Sequence, residues 1–131
     1  MQKSPGGSIF PYYYKNGELF GAHFGSFFGD EERLIKLMKA EAAFFLKQNR
    51  SMGYWIDFYE TKLSNRVLAE LIAFLTALEG RITKLGIVGC SLRDKGRLAK
   101  LIKKNSQLAS LPVRFYEDPE EAKTWLVSES G

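Results

Sequence analysis

The sequence predicts a single α/β domain with a mixed, mostly parallel sheet and the element order ββαβαβαβα. Three observations predict it. Short apolar strands alternate with helical patterns after an opening hairpin, the signature of strands joined by right-handed crossovers. The 131 residues, 45% hydrophobic and 26% charged, suit one ordinary domain, whose size lets it bury roughly two-thirds of its surface. No repeat, low-complexity tract or second-domain linker breaks the pattern. Residues 1–8 (Met-Gln-Lys-Ser-Pro-Gly-Gly-Ser) are small, polar and rich in Gly and Pro, so they read as a flexible lead-in, with residues 9–131 as the domain.

Two apolar runs, residues 10–15 and 18–27, flank Asn16-Gly17, a pair that tolerates the positive φ of a type I′ turn. In the second run Phe20, Ala22 and Phe24 share one face. Gly21, His23 and Gly25 take the other, which marks it as lightly covered or closely approached. Gly29-Asp30-Glu31-Glu32 starts a helix with a capping Asp and acids at the positive end of the dipole. Leu34, Leu37, Met38, Phe45 and Leu46 carry it to Asn49. A strand over residues 54–59 follows, then a helix capped by Ser64 or Asn65, striped by Leu68, Leu71, Ile72, Leu75 and Leu78 and ended by Gly80. Leu85-Gly86-Ile87-Val88-Gly89 has no polar face, so it reads as a strand covered on both sides. A basic helix with an inner stripe of Leu98, Leu101 and Ile102 comes next, then a strand over residues 112–116. Asp118-Pro119-Glu120-Glu121 opens the last helix, docked by Ala122, Trp125 and Leu126.

Composition excludes several functions. One cysteine, Cys90, and one histidine, His23, leave no internal disulfide and no Cys/His zinc cluster. No Gly-Lys-Ser/Thr phosphate loop exists, and no motif asks for a cofactor or metal. No apolar run reaches bilayer-spanning length and no signal peptide opens the chain, so the expected compartment is the cytoplasm. The net charge of +4 falls short of the dense basic stripe of a dedicated nucleic-acid binder. Its excess concentrates in Arg93, Lys95, Arg97, Lys100, Lys103 and Lys104, whereas the segment from Glu117 to Glu129 is acidic.

The hairpin, the strand Tyr54-Trp55-Ile56-Asp57-Phe58, the strand Gly86-Ile87-Val88-Gly89 and the ending Val113-Arg114-Phe115-Tyr116-Glu117-Asp118-Pro119-Glu120-Glu121-Ala122-Lys123-Thr124-Trp125-Leu126 resemble the STAS family and its SpoIIAA-like relatives, the anti-sigma-factor-antagonist-like domains. The resemblance implies a β-α superhelical sheet, a cytoplasmic regulatory role, a protein partner and no reaction performed by the domain. Phosphorylatable members carry an Asp-Ser-Ser/Thr-Gly-like segment before the second of the crossover helices. Glu60-Thr61-Lys62-Leu63-Ser64-Asn65-Arg66 stands there in this chain, with hydroxyls but without that pattern.

Parallel strands ending near Tyr59 and Val88 should set two turns side by side, and ligands of open α/β sheets gather beyond the carboxyl ends of strands. Thr61, Ser64, Asn65, Gly89, Ser91 and Asp94 are therefore the candidate partner-docking or phospho-switch residues. Their plainer role is to cap helices and permit turns. Arg97, Lys100 and Lys104 share a basic face that suits an anionic partner or simply meets water. The expected function is a non-enzymatic regulatory module that docks a protein partner. Two alternatives stay open: a small-ligand or lipid pocket under the aromatic hairpin, lined by Phe20, Phe24 or Phe27, and an enzyme pairing Cys90 with His23. Tyr12, Tyr13, Tyr14, Phe27 and Phe28 are dense enough to cover a small apolar pocket or form a contact with a second copy of the chain, and their plainer role is core and hairpin packing.

Overall fold

The computed structural model describes residues 2–128; Met1 of the expected lead-in and residues 129–131 of the expected domain lie outside the described residues. Its elements are β1 (Gln2–Lys3), β2 (Ile9–Phe10), β3 (Tyr12–Tyr14), β4 (Gly17–His23), α1 (Glu31–Gln48), β5 (Met52–Asp57), α2 (Asn65–Ala77), β6 (Ile82–Val88), α3 (Leu92–Lys104), β7 (Val113–Tyr116) and α4 (Pro119–Leu126). From β3 onward this is the expected ββαβαβαβα series. Strands β3 to β7 form one sheet in sequential order, with β3 antiparallel to β4 and all later neighbours parallel. Each crossover advances by one strand in the same direction, so right-handedness puts α1, α2 and α3 on a single face. The strand order never reverses, and the crevice that such a reversal opens in other α/β sheets does not form.

Period-two alternation divides the strands between two cores. Phe20, Ala22, Phe24, Tyr54, Ile56, Phe58, Leu85 and Ile87 face α1–α3 and meet Leu34, Met38, Phe45, Leu71, Phe74, Leu98 and Ile102. Phe20 and Phe45 stack there with centroids 5.4 Å apart. On the other face Leu19, Trp55 and Val88 receive Ala122, Trp125 and Leu126 of α4. Capping follows the expected residues: Asp30, Ser64, Ser91 and Asp118 accept from Arg33, Val67, Asp94 and Glu120 backbone N–H groups, and Asn49 ends α1 in the left-handed region. The accessible surface of 7146 Å² matches the roughly 7,000 Å² expected for this chain length.

Two expectations are corrected. Residues 2–8, expected as a flexible lead-in, take part in the fold: β1 pairs antiparallel with β2, Ser8 Oγ donates to the Gly21 carbonyl at 2.7 Å, and the Gly6 amide donates to Glu41 Oε1 at 2.8 Å. Small residues are used here because this hairpin lies close against β4 and α1. The turn between β3 and β4 consists of Lys15-Asn16, with the positive φ (51°) on Lys15, and Gly17 is already paired with Tyr14. Gly17 serves packing instead, since a Cβ there would lie 2.8 Å from Val127 Cβ. Strands β5 and β6 also begin earlier than their most apolar residues suggested. No helix among the described residues is long and apolar enough to cross a membrane.

Candidate functional site

The ends of β5 and β6 lie side by side, and the chain leaves each of them by a short turn into a helix. The Phe58 amide donates to the Val88 carbonyl at 3.0 Å, drawing the two turns together. Gly89 makes the closest approach. Its φ is +85°, and a Cβ would sit 2.7 Å from the Tyr59 nitrogen and 3.0 Å from its Cα, so only glycine allows the two backbones to touch. Arg97 closes the join from α3. Its Nη1 donates to the Leu63 carbonyl at 2.7 Å and to Asp94 Oδ1 at 3.0 Å, while Nη2 donates to Asn65 Oδ1 at 2.7 Å.

Ser64, Asn65, Ser91, Asp94 and Arg97 thus line one polar depression of about 400 Å³. Its hydroxyls are committed. Ser64 Oγ accepts from the Val67 amide at 3.2 Å and donates to Glu31 Oε2 at 3.0 Å; Ser91 Oγ accepts from the Asp94 amide at 3.2 Å. Thr61 lies apart from the depression and ties the turn after β5 to the loop after β4, donating to the Phe24 carbonyl at 2.8 Å and accepting from the Phe27 amide at 3.1 Å. Lys100 and Lys104 are exposed on the outer side of α3. Arg97 leaves that basic face because its carbonyl and carboxamide acceptors lie across the rim.

Sequence reasoning did not single out Tyr59 or Leu92 as rim residues, and it placed Phe28 only among the aromatics of the hairpin region. Phe28 is 62% exposed, Tyr59 64% and Leu92 84%, far more than the core residues beside them. The loops around the first two also hold Ser26, Phe28 and Glu60 at positive φ, a conformation that non-glycine residues adopt at a cost. A signal for Leu92 did exist. It stands six residues before Leu98, about 120° away around the helix and so off the stripe that faces the core.

Cys90 and His23 lie on opposite faces of the sheet. Cys90 packs against the three-helix core, and burial, reinforced by Asp94, pushes its thiol up to about 12. His23 is exposed and meets Trp55 edge-on at 5.1 Å on the α4 side, two strands from β6. Phe20 and Phe24 are fully buried in the aromatic core, so neither lines a pocket, whereas Phe27 borders an open groove of about 740 Å³. Among the described residues no group of three His, Cys, Asp or Glu is placed to hold a metal ion. No family model matches the chain, and no curated protein or solved structure matches it at a significant level.

Proposed function

We propose that the chain is a non-enzymatic regulatory module, similar in plan to STAS domains and acting in the cytoplasm, that docks a protein partner on the rim at the carboxyl ends of its parallel strands. One observation carries this reading: two helix-start turns are locked edge to edge by Gly89 and Arg97, and the rim around them exposes Phe28, Tyr59 and Leu92. A preorganised polar surface with a few exposed apolar anchors suits recognition, because little ordering entropy remains to be lost on binding.

Phosphorylation at Ser64 would replace the O–H that donates to Glu31 and set about −1.5 to −2 charges beside that carboxylate. In this reading a phosphate opens the platform by repulsion.

The test replaces Tyr59 or Leu92 with the photo-crosslinking residue benzoylphenylalanine, with the exposed Ser110, at the opposite end of the sheet, as control. The expected result is one protein captured in native cells from the two rim positions and not from the control. Equal capture at all three positions, or none, overturns the proposal. The exposed-site variant Tyr59→Asp/Leu92→Asp should retain the wild-type melting temperature and lose the partner.

A further inference from the structure

One edge of the sheet is left open by the described residues, and the opening lies beside a helix. Strand β3 covers β4 only as far as the Tyr12–Leu19 pair, and Pro11 has no N–H with which to continue. Beyond that point the backbone of β4 alternates. Phe24 and Ser26 donate inward to Asp57 and Tyr59 of the neighbouring chain segment, whereas the Gly21 carbonyl points outward and is taken by Ser8 Oγ. His23 and Gly25 are in step with Gly21, so their N–H and C=O groups face outward too, where no strand among the described residues covers them. These groups open into the groove of about 740 Å³, bounded by the Pro5-Gly6 turn on one side and by α1 on the other.

We propose that this groove receives an extended, acidic peptide segment of a partner protein, added to the edge of β4 as a further strand. Strand addition in a cleft between a sheet edge and a helix draws affinity from main-chain hydrogen bonds and selectivity from alternate side chains. The charge of the lining selects the side chains. Arg33 and Lys36 are the charged residues of the lining, and the nearby carboxylates of Asp57 and Glu60 lie behind Gly25 and Ser26. Arg33 and Lys36 are separated by roughly 4.5 Å along α1, within reach of acidic residues at alternate strand positions roughly 7 Å apart. Two cations in a row suit internal acidic residues better than a single terminal carboxylate. Arg33 rests over the Phe27 ring at 5.1 Å and lies 3.7 Å from Asp30, an exposed ion pair that is cheaply exchanged for a peptide carboxylate. Leu37 and Ala40 supply the apolar floor for the intervening residues. This inference uses residues other than the rim depression and stands apart from the docking role proposed for it.

The experiment selects random peptides displayed on phage against the full chain, then measures the enriched sequences by fluorescence polarisation and by amide resonances. The expected peptides carry acidic residues at alternate positions and shift the His23 and Gly25 amides. N-methylation at every second peptide nitrogen should abolish binding, whereas methylation of the intervening ones should leave it intact. The variant Arg33→Glu/Lys36→Glu, changed only at exposed positions, should bind roughly tenfold or more weakly with unchanged circular dichroism. Tyr59→Asp should bind these peptides as the wild type does, which separates failure here from failure of the rim proposal. Selection of no peptide, or of basic or purely apolar ones, overturns the inference. So does a shift of the same amides on concentrating the protein alone, which would give the groove to a second copy.

Discussion

The two faces of the sheet are packed by opposite means. Towards α1–α3 the strands present large side chains, and the core is filled by ring against ring, as with Phe20 between Phe45 and Tyr54. Towards α4 they intersperse Leu19, Trp55 and Val88 with glycines, over which a helix of eight residues rides close. A Cβ on Gly53 would stand 3.1 Å from Leu126 Cβ, and one on Gly21 would overlap Trp55 Nε1. Lys123 closes that side, its ammonium lying 5.3 Å from the Tyr12 ring centroid and 5.1 Å from that of Trp55. The difference teaches that one strand can need bulk on one side and its absence on the other. Removing atoms should hurt the first face, and adding them the second.

Adjacent residues of β4 give the strongest test. Phe20→Ala should lose about 3–5 kcal/mol in urea unfolding through the cavity it leaves. Gly21→Ala should lose about 1–3 kcal/mol through overpacking and recover part of it when Trp55 is also cut to Leu. A neutral Gly21→Ala would end the contrast between the faces. A second pair separates contact from conformation. Gly80 and Gly89 share a positive φ, yet a Cβ on Gly80 meets nothing within 4 Å. Gly80→Ala should therefore cost about 1–2 kcal/mol, the ordinary left-handed penalty. Gly89→Ala should cost more, because it also forces the two rim turns apart; equal melting temperatures for the two variants would refute the contact.

Smaller effects sharpen the picture at the rim. Ser64→Ala and Ser91→Ala should each remove about 1 kcal/mol of helix capping, seen as a lowered denaturation midpoint. The smallest effect concerns Glu41, which faces Gly6 of the hairpin and is wholly buried. Burial raises its carboxyl above the usual range, against the lowering influence of Ser4, the Gly6 amide and His23. As pH rises past the ordinary carboxylate range, the unfolded chain sheds this proton before the native state does, so stability falls until the native group ionises. Glu41→Gln lacks that loss. Its urea midpoint should therefore gain on the wild type as pH rises, and parallel pH profiles would show that Glu41 is already ionised in the fold.

Much of the fold was legible because local signals agreed. Asp30 and Asp118 announced two helix starts, and Ser64, expected there beside Asn65, and Ser91, one of the capping candidates, supply the other two caps. The alternation of Phe20, Gly21, Ala22 and His23 placed the two faces, and the closely approached side is the one that Trp55 covers. The site was legible only in part. Ser64, Asn65, Ser91 and Asp94 stand together because neighbouring parallel strands must end on one rim. Arg97 was assigned to the basic face because its three- and four-residue spacing to Lys100 and Lys104 says nothing of acceptors on another helix. The β1–β2 hairpin lies outside the expected elements because Gly, Ser and Pro read alike in a loose tail and in a segment pressed against a sheet.

The sequence by itself determined the element order from β3 onward, the helix starts at Asp30 and Asp118 and the inward stripes, since these depend on contacts within a few residues or on strict periodicity. The tertiary structure alone decided that Gly17 and Gly21 make room for packing, that Arg97 turns to the rim, and that the outer edge of β4 stays open beside α1. Each of these depends on atoms brought together from distant parts of the chain, and no local pattern encodes the distance between them.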